Sequence, residues 1–279
     1  MVVPTRDADL LYIKHNLHTY LRIGADEMIL CIDEDSNQTF IDELNSIYDG
    51  IKKKYSNVSE LKILKVEKRS DYNFHQAWVR RKGFLTAKND VILTGDIDLH
   101  INKKVLKAID IVGKNNVGLA SLQKFQLQSN LNNSVTTIWR IFYLTLLRTL
   151  YHSIFTGLYA MYRPYWLETE DEKIKELKNP KFTKGFESVI GEDTYLRDFM
   201  EKKYKCVYLR DTGAIDFGIA LHDDKKVQFT MGRYYLHNDR VLWQVLIAAF
   251  AYYHPDSIVG YFYEKNKIKK GLAKLHDVV

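Results

Sequence analysis

At 279 residues the chain is long enough for one large α/β domain or two small ones. Its 41 Lys and Arg outnumber its 35 Asp and Glu, and the resulting charge of +6 suits an anionic partner (nucleotide, phospholipid or nucleic acid) without choosing among them. Two cysteines with no Cys-x-x-Cys spacing exclude a disulfide framework, and four thinly spread prolines exclude Pro-rich disorder.

The first half of the chain alternates short apolar runs with helical spacing. Met1 to Val3 is predicted to be a clipped first strand, with no basic region followed by an apolar core, so no secretory signal is expected. Cys31 and Cys206 sit in apolar strand-like runs and read as buried reduced thiols of a cytoplasmic protein. Asp9 to Ile23 carries Leu10, Ile13, Leu17 and Leu21 at helical spacing, and Gly24 ends it. Glu27 to Ile32 reads as a second strand, Phe40 to Tyr55 as a helix and Leu61 to Val66 as a third strand. Phe74 to Ala87 is a predicted helix, Val91 to Leu93 the fourth strand, Lys103 to Val112 another helix and Val117 to Ser121 a fifth strand. This alternation implies an α/β fold with a mixed, mostly parallel sheet flanked by helices. Open sheets of this kind bind ligands at the carboxyl ends of their strands. Thr5 to Asp7, Asp33 to Ser36 and Asp96 to Asp98 follow strands one, two and four, so they are expected to converge.

The second half is less regular. Ile138 to Tyr162 is long, apolar and aromatic, interrupted by Arg140, Arg148 and His152. Glu168 to Lys184 is charged and reads as a solvated surface segment. Thr194 to Lys203 is a short helix preceded by Gly191-Glu192-Asp193, Cys206 to Leu209 a strand, Asp239 to Tyr253 an apolar helix and Tyr261 to Val279 a basic tail. The expected organisation is a catalytic domain over 1–215, divided into halves at 1–121 and 122–215, with an extension over 216–279. Val241 to Tyr253 is shorter than the ~20 residues needed to cross a bilayer. Ile138 to Tyr162 is long enough, but Arg148 near its middle would cost several kcal/mol in hydrocarbon. Two readings stay open for these apolar segments. They lie on a membrane surface, at the inner face, with aromatics in the interface, or they pack over the sheet or against a second copy in a homo-oligomer.

The most informative stretch is Val91 to Asp98, an apolar run ending in two carboxylates one residue apart. In an extended segment, side chains at i and i+2 point the same way, so Asp96 and Asp98 would leave the strand end together. Two hard oxygen donors suit Mg²⁺ or Mn²⁺, which in turn can hold a diphosphate. The plainer readings are strand-end and cap residues for Asp96 and Asp98, turn formers for Asp33 and Asp35, a solvated helix residue for Arg80, and helix N-terminal stabilisers for Glu192 and Asp193.

Taken in order over residues 1 to 210, these motifs resemble the inverting glycosyltransferases of family 2, which have a GT-A fold. Val3-Pro4-Thr5-Arg6-Asp7 is similar to the family's first strand and nucleotide loop, with Asp7 where Asn is usual. Ile32-Asp33-Glu34-Asp35-Ser36 resembles its Asp-Asp-x-Ser, whose acids recognise the base or ribose; Glu34 replaces the second Asp. Arg80, Gly83 and Ala87, followed by Asp96-Ile97-Asp98, reproduce the spacing of its Arg-Asn-x-Gly helix and Asp-x-Asp, with Arg81 in place of the Asn. Gly191 to Leu196 resembles its Glu-Asp motif.

The resemblance implies that Pro4, Thr5, Arg6, Asp7, Asp33, Glu34, Asp35, Arg80 and Asp96 bind a nucleoside-diphosphate sugar. It implies Asp98 as the direct ligand of Mn²⁺ or Mg²⁺, Asp96 nearer the ribose or bridging through water, and a third contact from His222, or failing that His237. Asp193 is the implied base and Glu192 its orienting partner. The segment from Gly157 to Trp166 resembles the acceptor-facing loop, so Tyr159, Tyr162 and Trp166 are expected to stack on a sugar or line a lipid channel. The acceptor is a glycan or lipid-linked hydroxyl. Two alternatives stand beside this hexosyl transfer. One is a sugar nucleotidyltransferase, although Thr5-Arg6-Asp7 lacks that class's Gly-rich loop. The other is a non-enzymatic, basic, peripheral membrane-binding protein. No helix-turn-helix, zinc-finger or aromatic RNA-binding signature supports a nucleic-acid partner.

Overall fold

The computed structural model describes residues 1–68, 75–126, 157–176, 196–197, 200–216, 225–237, 241–252 and 255–272. The chain divides into two compact units, Met1–Phe125 with Phe155–Asp216, and Gln126–Ile154 with Phe217–Val279.

The first unit begins with β1 (Val2–Pro4), α1 (Leu10–Leu21), β2 (Glu27–Asp33), α2 (Gln38–Lys54), β3 (Glu60–Val66), α3 (His75–Thr86) and β4 (Val91–Thr94). It continues with β5 (Leu99–Ile101), α4 (Leu106–Ile111), β6 (Val117–Gln126), β7 (Tyr159–Tyr162), α5 (Arg163–Glu176) and β8 (Lys205–Asp216). Its eight strands lie in the order β3-β2-β1-β4-β7-β6-β8-β5. β1 pairs in parallel with β2 and β4, and β2 with β3, so these four strands point their carboxyl ends to one edge. Beyond β4 the described pairings are antiparallel: β4 with β7, β7 with β6, and β5 with β8.

The inner strands are apolar at successive positions because both faces of the sheet are covered. Val3, Leu30, Ile32, Leu93 and Ala160 face the core under α1, α2 and α4, with Ile13, Leu17, Leu44 and Ala108. Val2, Ile29, Cys31, Ile92, Tyr159 and Met161 face the opposite core, with Trp78, Val79 and Phe84 of α3 and Trp166 of α5. Burial pushes the Cys31 thiol up to about 12, consistent with an inert core cysteine. Gly83 sets the height of α3 above the sheet: a Cβ there would meet the Val2 side chain and come within 2.6 Å of Cys31 Sγ. Close approach at Gly83 holds Arg80, one turn earlier, near the strand ends.

Three readings of the sequence need correction. Tyr159 to Tyr162, read as the end of one long apolar segment that lies on a membrane or packs over the sheet, is instead strand β7 within the sheet, paired on both sides, at Leu93↔Ala160 and Ala120↔Ala160. The segment from Glu168 is not simply solvated, since α5 starts at Arg163 and buries Trp166 and Thr169. The stretch from Tyr261 is not a tail through Lys269 but the second half of a helix. The rest of the Ile138–Tyr162 stretch, up to residue 156, lies outside the described residues.

That helix belongs to the second unit, which contains α6 (Lys225–His237), α7 (Leu242–Tyr252) and α8 (Pro255–Lys269). Ser257, Gly260, Tyr261 and Glu264 form its buried stripe at i, i+3, i+4 and i+7. A Cβ on Gly232 would lie 2.6 Å from the Ser257 carbonyl carbon, and one on Gly260 2.8 Å from that of Phe229. The backbones of α6 and α8 therefore touch where they cross. Arg233 Nε donates to buried Glu264 Oε2 at 2.6 Å beside the crossing. Among the described residues no helix is long and apolar enough to cross a membrane.

Candidate active site

The carboxyl ends of β1 to β4 bring the polar loops together. After β4 the chain turns at once: Leu99 N donates to Asp96 O at 3.1 Å, closing a turn over residues 96–99 that leads into β5. Asp96 and Asp98 thus flank a turn and do not continue the strand, so the extended i, i+2 argument does not apply to them. Their placement comes from α1 instead. Asn16 and Tyr20, one helical turn apart and both buried, face the turn. Asn16 Nδ2 donates to Ile97 O at 3.0 Å, and Tyr20 Oη donates to Asp96 O at 2.5 Å. Ile97 itself is buried in the core. Two consecutive carbonyls of the turn are therefore held by one helix, and the Asp96 and Asp98 side chains remain half-buried.

Arg80 of α3 meets the same turn. Its guanidinium donates to Asp96 Oδ1 at 2.6 Å. It is buried, which rules out the reading of Arg80 as a solvated helix residue. The other oxygen, Asp96 Oδ2, faces Gly157, where a Cβ would stand 3.1 Å away. Gly157 leaves the carboxylate its clearance.

The second cluster follows β1, β2 and β3. Thr5 is buried and donates its N–H to Cys31 O at 2.9 Å, which carries Arg6 and Asp7 out beyond the sheet. Asp7 Oδ2 accepts from Asn37 N at 3.2 Å, and Asn37 caps α2 by accepting from Phe40 N. Asp33 is half-buried at the end of β2, with Glu34 and Asp35 exposed beyond it. Lys68, two residues past β3, donates to Asp35 Oδ2 at 2.6 Å. That bond raises the Lys68 ammonium above its ordinary value, helped by the fields of Asp35, Asp33 and Asp7. Lys68 thus ties the end of β3 to the acidic loop that follows β2. Asp9 accepts from Arg6 N and Thr5 Oγ1, yet burial holds its carboxyl above the usual range.

Of the residues expected at the site, Pro4 to Asp7, Asp33 to Asp35, Arg80, Asp96 and Asp98 all follow or face the ends of these four strands. Glu192, Asp193 and His222 lie outside the described residues, and His237 is the last residue of α6. Tyr159 and Trp166 are core residues, with Trp166 edge-on to Phe84 at 5.4 Å. They are therefore not available to stack on a sugar. Tyr162 is half-buried and edge-on to Tyr165. Lys68, Asn16 and Tyr20 are the residues that motif reading misses. Asn16 does leave a signal, as a polar residue on the apolar face of Ile13, Leu17 and Tyr20.

Two carboxylates at a strand end are hard oxygen donors, the set that Mg²⁺ or Mn²⁺ takes when phosphates and water complete the shell. Among the described residues no group of three or more His, Cys, Asp or Glu could hold a metal unaided. This donor set fits an ion shared with a ligand phosphate rather than an all-protein cage.

No protein-family model matches the sequence, and no curated protein sequence matches it. Solved structures do. The mannosyltransferase PcManGT from Pyrobaculum calidifontis, in complex with GDP-Man and Mn²⁺, aligns at TM-score 0.54 and 14% identity, over 98% of this chain and 74% of that one. S. aureus TarS 1-349 in complex with UDP-GlcNAc aligns at 0.46 and 17%, over 98% and 75%. Glucosyl-3-phosphoglycerate synthase from Mycobacterium tuberculosis, with Mn²⁺, UDP and glucosyl-3-phosphoglycerate, aligns at 0.46 and 11%, over 78% and 71%. The fold of this chain is the GT-A fold, a mixed α/β sheet flanked by helices.

Proposed function

We propose that this chain is a glycosyltransferase that moves a sugar from a nucleoside-diphosphate sugar to an acceptor hydroxyl on a glycan or lipid carrier, with inversion and with a divalent metal. One observation carries the reading. Four neighbouring parallel strands deliver Asp7, Asp33, Asp35, Lys68 and the Asp96–Asp98 turn to one edge of a GT-A sheet. The presence of GDP-Man and Mn²⁺ in the PcManGT complex supports the same class of donor and metal.

In this reading the loops after β1 and β2 take the nucleoside, with Asp33, Glu34 and Asp35 offering acceptors to the base and ribose hydroxyls. Thr5, Arg6 and Asp7 close over it from β1. Arg80 fixes the Asp96 carboxylate in one orientation, so that Asp96 faces the ribose or a bridging water. Asp98 would hold Mn²⁺ or Mg²⁺, which when bound neutralises the charge growing on the diphosphate leaving group. Asp193 takes the proton of the acceptor hydroxyl as it attacks the anomeric carbon, a role worth about 10²–10⁴ in rate. Glu192 orients Asp193 or the acceptor.

The test is turnover of nucleotide sugars by purified protein with and without Mn²⁺. Hydrolysis or transfer should require the metal and disappear in an Asp96→Ala, Asp98→Ala double variant. Asp193→Asn should bind donor normally and fail to turn it over. Full activity in either variant, with the fold intact, would refute the assignment it tests.

A further inference from the structure

We propose that the second unit carries a docking face for an anionic phospholipid surface, formed by α7 and the exposed side of α8. Helix α7 has no charged residue between Leu242 and Tyr252. Val245 and Ala249 are buried on one side. Trp243, Leu246, Ile247 and Phe250 recur at i, i+3, i+4 and i+7 on another, and Trp243 and Phe250 are each 58% exposed. A helix that faces only water carries polar side chains on such a stripe. Here it carries an indole, a phenyl and two aliphatic groups.

Helix α8 supplies the charge. Its buried stripe is turned to α6, and its other side exposes Val259, Phe262 and Tyr263. One to two turns further on come Lys265, Lys267, Lys269 and Lys270, of which Lys265, Lys269 and Lys270 are exposed. The acids of this helix do not offset them: Asp256 lies in its first turn, and Glu264 is buried with Arg233. Exposed aromatics ending in a lysine cluster match the two layers of a lipid interface. Rings sit at headgroup depth, and ammonium groups reach the phosphates on their apolar stems.

A second copy fits the same face poorly. An isologous contact would bring two copies of the lysine cluster into one interface, and lysine is depleted in protein interfaces. This inference does not depend on the proposed sugar transfer, and its readout is separate from it.

The experiment uses the intact chain with vesicles of phosphatidylcholine, alone or mixed with phosphatidylglycerol. Co-sedimentation should occur with the anionic vesicles, weaken at high salt and be accompanied by a blue shift in tryptophan emission. Trp243→Ser with Phe250→Ser should abolish both signals. Lys269→Gln with Lys270→Gln should weaken binding by about tenfold or more. All four positions are exposed, so circular dichroism should be unchanged. Failure to bind, or equal binding to neutral and anionic vesicles, overturns the proposal. So does a dimer in lipid-free buffer that Trp243→Ser with Phe250→Ser dissociates, because the occupant would then be a second copy.

Discussion

Arg80 and Asp96 form an ion pair with one end sealed and the other open. The guanidinium side is 3% exposed, whereas the carboxylate side is 34% exposed, at a separation of 2.6 Å. The buried partner sets the orientation, and the open partner remains within reach of a ligand. Lysine offers a point charge without the planar fork that fixes a carboxylate. Arg80→Lys should therefore leave the fold intact while kcat/KM falls by about tenfold to a hundredfold. Steady-state kinetics alongside thermal melting separates the two effects.

The contacts from α1 predict a different balance. Tyr20→Phe removes one of two hydrogen bonds to Asp96 O and leaves the one from Leu99 N, so it should cost about 1 kcal/mol. Asn16→Ala leaves Ile97 O buried without its side-chain donor, and about 1–3 kcal/mol should be lost. Urea denaturation gives both numbers. Activity should fall in each variant beyond what the unfolded fraction explains, since both bonds position the Asp96–Asp98 turn.

Gly157 provides a test without loss of a polar group. A methyl there would stand 3.1 Å from Asp96 Oδ2, tight enough to displace a half-exposed carboxylate. Gly157→Ala should keep its melting temperature close to that of the parent and lose turnover. A variant with both activity and stability unchanged would show that the freedom of Asp96 Oδ2 is immaterial.

A pH effect should come from His18. Its imidazole is held below the ordinary value of 6.5 mainly by burial, and next by His100 and Arg22. The unfolded chain therefore binds this proton more readily than the folded one. The stability that His18 contributes is fully present above pH 6.5 and is lost as the pH falls through the depressed folded value. His18→Gln should flatten that decline. Melting temperatures of both proteins between neutral and mildly acidic pH would reveal it, and parallel curves would remove His18 as the source.

Much of the first unit is legible because β2 reads Glu-Met-Ile-Leu-Cys-Ile-Asp, an apolar run that only a strand covered on both faces requires. The polar strand ends then mark the site by topology alone. Strand β7 is not legible in this way, since Tyr-Ala-Met-Tyr continues an apolar aromatic stretch in which periodicity does not separate strand from helix. Strand β5 is three residues long and contains His100, too short for any period. In α8 the lysines conceal a stripe that includes Gly260 and Glu264, neither of which reads as apolar. At the site, Arg80 and the acids are recognisable as residue types at a spacing. Asn16 and Tyr20 are not, because they act on backbone carbonyls, which every residue possesses.

Pairing between β5 and β8 ends with Leu99 opposite Asp216, the last residue before the chain passes to its other unit. Leu99 is the immediate neighbour of Asp98. The rung that closes this antiparallel ladder therefore lies one residue from Asp98, and the backbone that follows the Asp96–Asp98 turn is fixed to the sheet edge at its first step.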